Sequence, residues 1–319
     1  MKFKLIKGEK SLNTNEKAIA LLEQNEYQEA FTLFKQAVEE SRDVQSLTNL
    51  AHIYMYEEED VDEVIHLLKE VLRFQPHSHF PYSLLGEGYV RTGQWSKARE
   101  VLRKALAIQP TLEATFNLAT AEYCLGNLEE AVNYFLEVSN GHKYAIYDYI
   151  QCLIELGRRE EAKRRLEDFL QTAEEIETVQ VAELYTELGC FQEAILFFEK
   201  GWNEYGKMED WVSKYMYVLL RNGQHTRAHE LLQEVIQEVE EIMDSVHEEE
   251  CCEVWTEKDK AERIQELIIE KEEWKSLMER ISANYTPKLT FETDFLTACY
   301  LFGCKRHNNP EYKMEKGLS

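Results

Sequence analysis

Residues 79–112 read HFPYSLLGEGYVRTGQWSKAREVLRKALAIQPTL, and their spacing decides the fold. Tyr82, Leu85, Gly86 and Tyr89 recur at i, i+3, i+4 and i+7, which puts them on one face of a first helix. Gly93 then ends it: the residue just past a helix terminus commonly needs a positive φ, and glycine takes that conformation without a Cβ clash. Trp95, Ala98, Leu102 and Ala105 stripe a second helix, whose small residues allow the partner helix to come close. Pro110 stops it by breaking the hydrogen-bond ladder.

This unit recurs along the chain. A small or aliphatic residue is followed four positions later by Phe or Leu and three further on by another small or apolar residue at Ala30-Phe34-Ala37, Val64-Leu68-Val71, Ala98-Leu102-Ala105, Ala131-Phe135-Val138, Ala162-Leu166-Phe169, Ala194-Phe198-Gly201 and Ala228-Leu232-Val235. The first members lie 34, 34, 33, 31, 32 and 34 residues apart. The slot of Gly93 is filled by Gly126, Gly157, Gly189 and Gly223, and by Asn25 in the first copy as the next most tolerant residue. Such a period marks stacked helical pairs, none able to bury its apolar face alone, so the chain reads as an all-α solenoid of about seven helix-turn-helix units.

The run Tyr82-x2-Leu85-Gly86-x2-Tyr89-x3-Gly93-x-Trp95-x2-Ala98-x3-Leu102-x2-Ala105-x4-Pro110 resembles the tetratricopeptide repeat position by position. Residues 45–78, with one extra residue in the Glu57 to Asp60 turn, and 112–144 are good copies; 11–44 and 175–208 are recognisable. The fifth and seventh depart most, with Ile150 and Met216 where the first helix wants a small residue. The resemblance spans residues 11 to about 236. It implies a right-handed superhelix whose first helices line a concave groove, and a family whose members mostly bind peptides or proteins without catalysing anything. The family's dicarboxylate clamp needs Lys and Asn at inner positions of the first copies; Asn15, Ile19, Phe80 and Leu84 stand there, so that activity is not expected.

Family geometry turns a defined set of first-helix positions inward. These are Phe80, Glu87, Val90 and Arg91 in the third copy, Glu113, Phe116, Thr120 and Tyr123 in the fourth, and Tyr144, Tyr147, Gln151 and Glu155 in the fifth. Glu183, Glu187, Tyr217 and Arg221 follow in later copies. Aromatics among carboxylates suit an extended peptide with apolar anchors and some positive charge. The competing reading is that several of these aromatics pack between repeats and the acids form a solvated face.

After Gln224 the apolar stripe continues through Val239, Ile242, Met243 and Val246, past the length of a repeat helix. A second stripe runs from Ala261 to Ile281, opened by a capping-box-like Thr256-x2-Asp259, and Pro287 forbids its continuation. Between them lies the acidic stretch His247 to Trp255, which predicts a long antiparallel hairpin. The expected organisation is a basic tail over 1–10, the solenoid over 11–236, a helical hairpin over 237–303 and a flexible tail over 304–319. The hairpin reads as a cap on the open end of the core, with homodimerisation through it as the alternative. Thr290 to Phe302 is expected to add a short helix with Phe291, Phe295, Cys299 and Phe302 on one face.

Composition narrows the function. Sixty Asp plus Glu against 36 Lys plus Arg give a formal charge of -24, a field that repels phosphate backbones, so no nucleic-acid partner is expected. No apolar run approaches the roughly 20 residues that span a bilayer, and the start lacks a secretory apolar stretch, so the expected home is cytoplasmic, with no membrane partner. Seven scattered cysteines read as reduced thiols. His225 and His229 stand i, i+4 without a third ligand, and Cys299, Cys304 and His307 with Cys251 and Cys252 miss the usual zinc-knuckle spacing. No phosphate loop, nucleophile elbow or dinucleotide fingerprint is present. No catalytic residue, metal or cofactor is therefore assigned. The expected function is a non-catalytic interaction scaffold holding a peptide or partner protein in the concave groove. An acidic regulator of one basic protein is the alternative, and a metal-dependent enzyme a remote third.

Overall fold

The computed structural model describes residues 13–306, save 140, 143, 203–208, 253, 284–285 and 288–293. Fifteen α-helices and no strand are found among them. The chain forms two compact units, Met1–Cys152 with Thr293–Ser319, and Leu153–Glu292. The division does not follow the repeat edges: it falls inside one helix, and the stretch after 292 belongs with the first unit. The two terminal stretches read as tails, 1–10 and all but the start of 304–319, lie outside the described residues.

In the first unit the pairs are α1 (Thr14–Leu22) with α2 (Tyr27–Glu40), α3 (Val44–Tyr56) with α4 (Val61–Leu72), α5 (Phe80–Arg91) with α6 (Trp95–Ile108), and α7 (Leu112–Cys124) with α8 (Leu128–Val138). Most of α9 (Ala145–Glu155) also belongs here. The first helices begin where the sequence offers a side-chain acceptor: Asn13, Asp43 and Thr111 each take a backbone N–H of the opening turn. They end on the left-handed residues the repeat requires, with Asn25 at φ 64°, Gly93 at 67° and Gly126 at 78°. In the one turn with an extra residue, Glu59 takes that conformation (φ 55°) without being glycine. The small-residue stripe is fully buried, and a Cβ on Gly86 would stand 2.4 Å from Leu102 Cδ2, so α5 and α6 pack as closely as they do only because residue 86 has none.

The second unit holds the end of α9, α10 (Arg159–Thr172), α11 (Thr178–Glu187), α12 (Phe191–Gly201), α13 (Glu209–Arg221), α14 (His225–Glu248) and α15 (Glu257–Ser282). Phe198, Trp202, Trp211 and Tyr215 stack around the α12–α13 pair. α14 and α15 run antiparallel: Lys271 pairs with Glu240, and Lys260 Nζ donates to the carbonyls of His247 (2.7 Å) and Glu249 (2.8 Å) at the end of α14. Thr256 and Asp259 form a full capping box at the start of α15. Leu267, Trp274, Leu277 and Ile281 are the buried side of α15, which packs on α14 and α13.

The short helix expected over Thr290 to Phe302 is not formed in its described part. Asp294 to Leu301 have no regular secondary structure, and Leu301 to Cys304 close a turn in which Cys304 N–H donates to Leu301 C=O and Gly303 takes φ 94°. The groove of the first unit supplies the backbone partners that a helix would otherwise have provided.

Candidate peptide-binding groove

Two asparagines in the middle of first helices hold this returning strand. Asn117 of α7 donates from Nδ2 to Leu296 C=O (2.8 Å) and accepts Leu296 N–H on Oδ1 (2.7 Å). Asn49 of α3 does the same for Phe302, donating to its C=O (3.1 Å) and accepting its N–H (2.7 Å). A side-chain amide is the one neutral group that offers a donor and an acceptor in the spacing of a single peptide residue, and the backbone polarity fixes which way each amide faces. Asn49 is braced from behind: its Nδ2 also donates to Asn15 Oδ1 (3.2 Å), and Asn15 Nδ2 donates to Ser46 Oγ (3.0 Å). Thr120, one turn after Asn117, donates to Asp294 C=O (2.9 Å).

These contacts address the main chain and read no side chain. Side-chain selection comes from what the strand buries. Tyr300 and Leu301 are almost wholly inside, joined to the core of α1 to α7, and Cys304 is buried with them. Phe80 meets the rings of Tyr300 and Phe302 at 5.9 and 5.1 Å between centroids. The Arg91 guanidinium lies over Phe295, 4.7 Å from its centroid. The strand runs against the repeat order, with Asp294 and Leu296 at α7 and Phe302 at α3.

The electrostatics are internally balanced. Glu87 is fully buried; it accepts from Tyr56 Oη (2.6 Å) and from Arg91 Nε and Nη2 (3.1 and 2.8 Å), and burial nonetheless pushes its carboxyl pKa up. Burial, with Glu87 and Glu113 adding to it, raises the Tyr300 phenol well above its usual range. Burial also raises the Asp148 carboxyl, and the charge of Asp294 adds to the effect. The Tyr300 hydroxyl is buried with no hydrogen-bond partner among the described residues. A cavity of about 1180 Å³ lies beside the strand, bordered by residues such as Tyr56, His79, Phe80 and Ile108.

Of the residues picked from sequence, Phe80, Arg91 and Thr120 touch the strand. Glu87 supports Arg91 and Tyr56 from beneath, and Glu113 borders the cavity. Val90 is buried in the core. Phe116 is a packing residue: it is buried against Phe135 and His142. Tyr123 is half-buried, Tyr144 stacks on Tyr147, and Tyr147 and Gln151 are buried in α9. Glu155, Glu183, Glu187, Tyr217 and Arg221 belong to the second unit, where Glu183 binds the buried Lys214 (2.7 Å) and Arg221 lies over Tyr217. The pair that holds the strand and that sequence reasoning missed is Asn49 and Asn117. Their signal was present: Asn15, Asn49, Ser83 and Asn117 stand 34 residues apart each time.

No three His, Cys, Asp or Glu side chains converge as metal ligands among the described residues, and no described helix is long and apolar enough to cross a membrane. Models of the tetratricopeptide repeat match residues 14–44 and 84–140. Over 92 residues the chain is 26% identical to the peroxisomal targeting signal receptor of Saccharomyces cerevisiae, a match covering 28% of this chain and only 15% of that protein's length. Among solved structures, that of PilW, a widely conserved type IV pilus biogenesis factor, is similar with a TM-score of 0.53 at 16% identity, over 65% of this chain and 96% of that one. A chain of the APC/C hetero-tetramer Cut9-Hcn1 gives 0.50 at 17% identity, over 65% of this chain and 42% of the other. At these identities the structural likeness is one of fold.

Proposed function

We propose that this chain, whose residues 14–44 and 84–140 match models of the tetratricopeptide repeat, is a non-catalytic interaction scaffold whose N-terminal repeats hold a non-helical polypeptide segment in their groove. The observation that supports this most directly is the pair of asparagine clamps, each satisfying both backbone groups of one residue in a strand without regular secondary structure. A buried amide needs partners for both its donor and its acceptor, and at Asn117 both are backbone groups of the non-helical segment, as are one donor and the acceptor of Asn49. Glu87 is occupied by Arg91 and Tyr56 and is not available to a basic guest. Within the second unit, the apolar side of α15 is used against α13 and α14.

The test is selection from a displayed random-peptide library. The intact chain should enrich sequences rich in aromatic and aliphatic residues, and Asn49→Ala with Asn117→Ala should enrich none of them. Equal enrichment by both chains would remove the groove from the function.

A further inference from the structure

We propose that residues 294–304 are a built-in pseudo-ligand, and that the partner of this groove is a polypeptide segment of the same chemistry that must displace them. The proposal rests on the groove reading above and goes beyond it by naming the guest and the gate. The guest chemistry is read from the resident strand. It is a stretch uncharged after the Asp294 position, with an aromatic residue at the position of Phe295 and an aromatic-aliphatic-aromatic triplet at Tyr300, Leu301 and Phe302, entering antiparallel to the repeat order.

Three observations separate a displaceable strand from a permanent part of the core. Its polar fixed points are backbone hydrogen bonds that any polypeptide can replace one for one, and its buried anchors Tyr300 and Leu301 are side chains a guest of the same chemistry would also supply. It is imperfectly fitted: the Tyr300 hydroxyl is buried without a partner, and Phe295, Leu296 and Phe302 are only half-buried. Finally, a cavity borders it along Thr297 to Cys304, leaving room for an incoming chain to begin exchange before the resident strand has left. A tethered strand acts at an effective concentration in the millimolar range, so a free segment of equal intrinsic affinity competes poorly until the strand is weakened or the guest fits better.

The experiment uses the full chain under reducing conditions and a fluorescent peptide spanning residues 292–306, followed by anisotropy. Gly303→Ala weakens the resident strand without altering the groove, because residue 303 is exposed, its φ of 94° is unfavourable for alanine and a Cβ there meets Ile19 Cδ1 at 3.3 Å. Tyr300→Phe tightens the strand by removing the unpaired hydroxyl. The peptide should bind Gly303→Ala about tenfold more tightly than the unaltered chain, and Tyr300→Phe several-fold more weakly. A peptide carrying Leu301→Asp should bind none of them. Asn49→Ala in the Gly303→Ala chain should lose the peptide. Equal affinity for all three chains, with Asn49→Ala still abolishing binding, overturns the gate and leaves the groove standing. Binding indifferent to Asn49→Ala overturns the groove as well. Hydrogen exchange of the Leu296 and Phe302 amides in the unaltered chain gives a second readout: saturating peptide should accelerate both, and unchanged exchange with peptide bound counts against displacement.

Discussion

Replacing Asn117 by alanine isolates the strand's polar anchoring from its apolar burial. The substitution removes two hydrogen bonds to one residue, Leu296, at 2.8 and 2.7 Å, from a side chain that is itself buried. Each such bond contributes a net 0.5–1.5 kcal/mol, so undocking of the strand becomes easier by about 1–3 kcal/mol, or roughly 5- to 150-fold in its opening equilibrium. Leu296 is half-buried and its freed backbone groups can recruit water, which places the expected value near the middle, about 2 kcal/mol. Helix α7 keeps its own ladder and its apolar face, so the repeats are left standing. The assay is native-state hydrogen exchange, read at Leu296 and also at Phe302, six residues on and clamped by a different helix. Asn117→Ala takes away the Leu296 acceptor and exposes that amide outright; if the strand opens as one unit, protection at Phe302 also falls by the factor given above while the core amides of α3 to α6 keep theirs. Lost protection at Leu296 with none at Phe302 would show two independent contacts, and the gate argument, which needs concerted release, would fail.

Other consequences are as specific. Gly86→Ala gains about 1 kcal/mol of helix propensity but drives a Cβ into Leu102, whose branch point lies 2.5 Å away and which is fully buried, at a cost of about 1–3 kcal/mol, so thermal unfolding should show a net loss of up to about 2 kcal/mol; a gain would mean that α5 and α6 do not pack this closely. Asp148 has a carboxyl pKa raised by burial and then by Asp294, so the native state keeps a proton that the unfolded chain has lost, and stability falls as pH rises from about 4 through the raised value. Asp148→Asn should therefore be more stable than the unaltered chain at neutral pH, with the advantage vanishing near pH 3; an advantage independent of pH would refute the assignment. In the second unit, Glu183→Ala leaves the buried Lys214 ammonium with Asp210 alone, at a cost of about 1–2 kcal/mol, whereas Lys214→Met lets both carboxylates return to water and should cost less. The reverse order in urea unfolding would show that the ammonium is not the strained partner.

The repeat architecture was legible because its signals are local. The Ala-x3-Phe/Leu spacing fixes which helix faces meet, and the left-handed residues at 25, 93, 126, 157, 189 and 223 stand where the glycine slot required them. The long α14–α15 hairpin was legible for the same reason, from uninterrupted helical spacing and the capping box at Thr256. The strand was not. Phe291, Phe295, Cys299 and Phe302 have helical spacing, and spacing is silent about a groove formed by residues more than 170 positions earlier that offers the backbone better partners. Local periodicity predicts a helix for any apolar segment; it cannot see that another part of the chain already supplies the donors and acceptors.

One recurrence, however, carried that information. In a repeat whose first helices bury mid-helix positions on both sides, an amide at the same register has only three fates: to pair within its own repeat, to pair with the next repeat, or to face something that is not a repeat. Asn15 and Asn49 take the second route with each other, and Ser83 the first, with His79 Nδ1 at 3.2 Å. Asn117 pairs with neither, and Asn49 has capacity left after Asn15. Both remainders point at the groove, two repeats apart, a span that six residues of non-helical chain at about 3.3 Å each can bridge. The 34-residue spacing of Asn15, Asn49, Ser83 and Asn117 marks one polar register, and the structure leaves two of its amides for the 294–302 segment. The aromatic anchors, read without those asparagines, could not distinguish a binding surface from core packing, which is why Phe116 was assigned to the groove and is in fact packed against Phe135.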